Sequence, residues 1–105
     1  MNDYLVDFRK MNWESGAPGM RFKAVIKDGK KIRLLELSHE YVEKDWCTKG
    51  HIGYVLDGRC AIDFVGKLVE FRKGDGLFIP QGEVHKHKPV IAKGEKVLFI
   101  MAEDA

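Results

Sequence analysis

The chain has few cysteines, no long apolar run and no concentration of charge of one sign, and each absence excludes a class of protein. Two cysteines among 105 residues do not build a disulfide framework. Cys47 and Cys60 read as thiols of a reducing compartment rather than a bridge. No apolar stretch approaches the roughly 18 residues that span a bilayer, so a membrane partner is not expected. The N-terminus, Met1-Asn2-Asp3-Tyr4, is polar and acidic where a secretory signal would begin basic and turn apolar. A cytoplasmic location is the expectation. The formal net charge is only +2, and the densest basic pairs are Lys30-Lys31 and Arg72-Lys73. A nucleic-acid interface needs a basic face or stripe, and none is present. Internal repeats, low-complexity tracts, interdomain linkers and convincing amphipathic helices are also missing.

What is present is a β pattern. With 45% hydrophobic and 32% charged residues, the chain can bury one core and stay soluble. Residues 1–19 read as an N-terminal arm, with a short edge strand over Tyr4–Phe8 and a loop over Asn12–Gly19. Met20–Lys27 places Phe22, Ala24 and Ile26 on one face, the period of two of a half-buried strand. Asp28-Gly29 is a two-residue hairpin signal. The return strand, Lys31–Leu37, slips phase at Leu34-Leu35, which marks a bulge or burial on both faces. Ser38–Glu43 reads as a connection. Asp57-Gly58 and Gly66-Lys67 read as turns between short strands. Val84–His87 reads as extended, and Val97–Met101 as a nearly wholly apolar last strand. Eight to ten short strands with frequent turns argue for an all-β sandwich or barrel.

Chemistry concentrates in two stretches. In extended chain, residues i and i+2 share a face, so Asp45 and Cys47 aim together. A turn at Thr48-Lys49-Gly50 lets His51 aim at the same point, with Gly53 and Val55 on its face. His85 and His87 share a face of their own. A carboxylate, a thiolate and two imidazoles make a four-donor set suited to Zn²⁺ or another borderline divalent metal. Cys60, alternating with Ile62 and Phe64, reads as core, and His39 as a surface histidine.

The second stretch carries a resemblance. Gly74-x5-Pro80-x-Gly82-x2-His85 resembles the second motif of the cupin superfamily, G-x5-P-x-G-x2-H-x3-N, with Pro89 where the asparagine would stand. Gly58 looks like the closing glycine of the first motif, G-x5-H-x-H-x(3,4)-E-x6-G. Counting back, His51 takes the position of the usual Glu, and Cys47 and Asp45 those of the two usual histidines.

The resemblance implies a double-stranded β-helix, or jelly-roll, cupin barrel of six to eight strands over residues 20–102, one cupin domain over residues 1–105, and commonly a homodimer. It implies a metal held by Asp45, Cys47, His51 and His85, with His87 and Gly53 beside them. A thiolate donor favours Zn²⁺, with iron or nickel as alternatives. The function implied is a metal-binding barrel that binds or transforms a small molecule. A non-catalytic ligand- or metal-sensing module and a metal-free barrel with an apolar pocket are the alternatives, and whether the protein is an enzyme stays open.

Overall fold

In the computed structural model, which describes residues 4–105, eight antiparallel strands curl around one apolar core. They are β1 (Glu14–Ser15), β2 (Met20–Lys27), β3 (Lys30–Ser38), β4 (His51–Asp63), β5 (Leu68–Arg72), β6 (Gly76–Ile79), β7 (Lys88–Val90) and β8 (Lys96–Asp104). Neighbours pair in the order β1-β2-β3-β8-β4-β5, and β6 and β7 also pair with β4. The first half of β4 lies between β8 and β6, and its second half between β5 and β7. This is a jelly-roll barrel.

Alternation decides what the barrel encloses. Leu35 and Leu37 from β3, Val55, Cys60 and Ile62 from β4, and Val97, Phe99 and Met101 from β8 are all buried. Val55 and Val97 are fully inaccessible and Phe99 nearly so. Each large apolar side chain removed from water contributes about 1.5–3 kcal/mol. The Leu34-Leu35 phase slip is not a bulge, because β3 pairs without a shift against both β2 and β8. The Asp28-Gly29 hairpin forms with φ of 51° and 74°, the left-handed values that such a turn requires.

Three local expectations are corrected. Asp57-Gly58 is not a hairpin turn, because β4 runs through it with a register shift between Val55 and Asp57. Gly58 takes φ of +73°, and a Cβ there would collide with the Lys96 carbonyl. The glycine thus bends one long strand so that it serves both sides of the barrel. Tyr4–Phe8 is not a strand; a 3-10 turn forms over Phe8–Lys10, with Lys10 N–H donating to the Asp7 carbonyl. Val84–His87 is not uniformly extended either, because Glu83–His85 forms a second 3-10 turn before β7.

The arm is held by the first barrel strand. Lys23, buried on the outer side of β2, donates from Nζ to the Phe8 carbonyl at 2.7 Å and lies 4.8 Å from the Trp13 ring. Arg21 stacks on the same ring at 4.2 Å. Trp13 therefore anchors the arm through cation–π contacts.

Candidate metal centre

The site begins at a backbone contact between two segments far apart in sequence. Cys47 and His87 form an isolated antiparallel bridge, exchanging hydrogen bonds of 2.9 and 3.0 Å. This fixes a residue of the irregular 39–50 connection beside the chain entering β7. His51 arrives independently as the first residue of β4, paired with Ile79 of β6. The donor atoms of Cys47, His51 and His87 lie within 4.8 Å of one another. Cys47 Sγ stands 3.6 Å from His51 Nε2, and the two imidazoles meet edge to face with centroids 5.1 Å apart.

Both rings are oriented by the nitrogen that faces away from the group. His87 Nδ1 lies 2.9 Å from the His85 carbonyl. A carbonyl only accepts, so Nδ1 carries the proton and the lone pair of the neutral ring is on Nε2. Burial pushes the His87 pKa down, the backbone hydrogen bond opposes it, and His51 adds to the lowering. The neutral form that metals require is thereby favoured. His51 Nδ1 lies 2.5 Å from Glu103 Oε2, which leaves Nε2 facing Cys47. Hydrogen-bonded backing of this kind fixes the tautomer of metal-binding histidines.

Glu103 belongs to a buried charge cluster. Its side chain is 5% exposed and pairs with Arg33 from β3, with Lys31 at 3.7 Å. Burial pushes the carboxyl up, but the His51 hydrogen bond and the Arg33 guanidinium outweigh it and hold the group at about 2. The sequence reading did not single out this residue. A signal existed: Val97, Phe99 and Met101 point inward, and the same alternation puts Glu103 on the inward face.

The donor set fits a divalent ion. Zinc bonds of about 2.0–2.3 Å hold tetrahedral donors roughly 3.3–3.8 Å apart. The Cys47–His51 separation already matches, and closing the whole group needs a shift of about 1 Å on that scale. One thiolate and two imidazoles suit zinc and neighbouring borderline metals. An ion held by these three donors would keep at least one position open for a ligand.

Of the residues singled out in the sequence, Cys47 and His51 come together. Asp45 is exposed and outside the group, because the chain bends at Asp45 itself, and the i, i+2 rule of extended chain does not apply. His85 is also outside it; the 3-10 turn carries its ring away and leaves its carbonyl facing His87. His87, expected beside the donors, stands among them at 4% exposure. Gly53 packs β4 against β8, and a Cβ there would lie 3.1 Å from Met101 Cγ. Cys60 is core, with burial pushing its thiol up to about 12.

A cavity of about 280 Å³ opens beside the three donors. Leu35, Leu37, Ile62, Leu77, Phe99 and Met101 line its interior, while Tyr41, Glu43 and Lys49 join the donors at its polar end. Burial raises the Glu43 pKa against the opposing charges of His51, Lys88 and Arg33. Burial also raises Tyr41, with Glu43 adding to it.

Residues 37–95, more than half of the chain, match the family model of the AraC-like ligand binding domain. Among curated protein sequences, none matches. The chain is similar in structure to the polyketide cyclase RemF from Streptomyces resistomycificus, with a TM-score of 0.76 and 21% identity over 95% of this chain and 78% of that one. It is similar to KdgF from Halomonas sp., with a TM-score of 0.72 and 17% identity over 92% and 91%. An RmlC-like cupin from Shewanella frigidimarina gives 0.73 and 13% over 98% and 91%. At these identities the likenesses establish the cupin fold.

Proposed function

Because the chain belongs to the AraC-like ligand binding domain family and has the cupin fold, we propose that it is a small metal-binding cupin that binds or transforms a small molecule. The carrying observation is the convergence of Cys47, His51 and His87, with both histidines backed by hydrogen bonds on their far nitrogens. These three residues hold the metal. His85 serves through its carbonyl, and Asp45 stays outside. Zinc is the favoured ion, with iron or nickel as alternatives, and a bound ion would supply a Lewis-acid centre at the polar end of the cavity. His51 and His87 present their Nε2 atoms, and the apolar walls keep bulk water from the ligand.

The same reading takes residues 20–102 as the barrel of one cupin domain, with residues 1–19 as its arm, in a cytoplasmic homodimer without nucleic-acid or membrane partners. Ile52, Tyr54, Leu56 and Phe78, exposed on the outside of β4 and β6, supply an apolar face for the dimer. No helix among the described residues is long and apolar enough to cross a membrane.

Elemental analysis of unstripped protein tests the metal. About one ion per chain is expected for the wild type and His85→Ala, and loss for His87→Ala and Cys47→Ser. A wild type without stoichiometric metal overturns the reading, as does loss in His85→Ala with retention in His87→Ala.

A second reading, a non-catalytic ligand sensor, is favoured by the description of the matching family as a ligand binding domain. Ligand binding without turnover of any bound compound distinguishes it from an enzyme.

A further inference from the structure

The cavity is polar at one end only, and that asymmetry describes its occupant. Its far walls, with Leu37, Leu77, Phe99 and Met101 among them, offer no hydrogen-bonding side chain, so a sugar or other evenly polar molecule would lose its water without compensation. At about 280 Å³ the cavity stands at the small end of the range of small-molecule pockets, which favours a compact ligand. A single ring bearing one polar head meets both conditions.

The charge of the head follows from which groups at the polar end are already engaged. Arg33 is paired with Glu103, and the far nitrogens of His51 and His87 are hydrogen-bonded. Lys49 lines the cavity and has no carboxylate partner among the described residues. It also lines the neighbouring surface groove, which places it where a ligand enters. With a divalent ion on the three donors, the lining residues Arg33 and Lys49 and the ion bring four positive charges, against two negative ones from Glu43 and the Cys47 thiolate, while Glu103 behind them is matched by Lys31. The surplus is positive, so an anionic head is preferred over a neutral or cationic one.

Resting on the metal-binding reading above, we infer that the ligand class of this site is a small ring-bearing carboxylic acid, its ring among the apolar walls and its carboxylate held by Lys49 at the metal end. Lys49 is then the residue that selects for charge. A charge-assisted hydrogen bond at the edge of an apolar cavity accounts for about a tenfold preference in affinity.

Calorimetric titration with benzoate, benzyl alcohol and benzylamine, three probes of one ring and different charge, tests the inference. The protein is titrated as purified and again after zinc addition, alongside Lys49→Gln and the remote exposed control Lys93→Gln. Benzoate is expected to bind at least tenfold more tightly than the alcohol, and the amine most weakly. Lys49→Gln should lose about tenfold for benzoate and leave benzyl alcohol unchanged, while Lys93→Gln behaves as wild type. No binding of benzoate, equal affinity for the alcohol, or an unchanged Lys49→Gln overturns the inference. Metal content measured on the same samples separates the two readings. Absent metal sinks the metal centre, whereas the order of the three probes and the Lys49 effect decide the ligand class.

Discussion

Glu103 Oε2 lies 2.5 Å from His51 Nδ1 although the two residues are 52 positions apart, and this contact orients the imidazole toward Cys47. Adjacent strands β4 and β8 bring the pair together, and Arg33 from β3 holds the carboxylate from its other side. Glu103→Gln removes the charge and keeps the shape. Metal affinity is expected to fall 10–100-fold on the usual scale of such backing groups. Competition with a chromogenic chelator measures it, and unchanged affinity would mean that His51 is oriented by other means.

The same carboxyl makes stability depend on acid. Its folded-state pKa of about 2 is below its ordinary value of 4.5. A depressed carboxyl stabilises the fold fully above its unfolded value, and this contribution is lost as pH falls from about 4.5 toward 2. On an order-of-magnitude scale the contribution is about 3 kcal/mol. Urea unfolding of the wild type and Glu103→Gln should differ at pH 6 and converge near pH 2. A constant difference across that range would contradict the assignment.

The two thiols should react differently. Cys60 is 4% exposed with its thiol pushed up to about 12, whereas Cys47 is partly accessible at the cavity. Iodoacetamide at pH 8 is expected to label Cys47 in the native, chelator-treated protein and to spare Cys60. Added zinc should protect Cys47. Peptide mass spectrometry reads both sites, and labelling of Cys60 before Cys47 would refute the placement.

Gly58 should tolerate no side chain. Its φ of +73° disfavours a Cβ, and the Lys96 carbonyl occupies the space that one would need. Gly58→Ala is expected to cost more than about 2 kcal/mol, seen as a lowered urea midpoint. Gly29→Ala is the informative comparison, because φ is +74° there but nothing lies within 4 Å of the added atom. A smaller loss at Gly29 isolates the collision from the backbone conformation.

Strand alternation made most of the barrel legible, because a period of two is a direct projection of inside and outside onto the chain. Where the site departs from expectation, the cause is local geometry that periodicity does not encode. His85 and His87 occupy one face only if the chain is extended, and the 3-10 turn over Glu83–His85 breaks that condition. Asp45 and Cys47 fail to converge for the same reason. At Gly58 the sequence signal was real, but a bend and a turn both call for glycine, and only the pairing of β4 with β8 separates them. Glu103 and Arg33 are different again. Their inward phase could be read beside Met101 and Leu35, yet which charges meet depends on the register of β3 against β8.

The backbone bridge between Cys47 and His87 closes a span of forty residues through main-chain hydrogen bonds alone. Loop-closure entropy for such a span is lost on folding, not on ligation. The barrel's own backbone therefore gathers the three candidate donors, and a metal held by them would add little to the closure of this span. If the proposed ion binds here, circular dichroism of chelator-treated protein is expected to keep the β-sheet signal of the untreated protein, and its loss would mean that the ion is needed for folding.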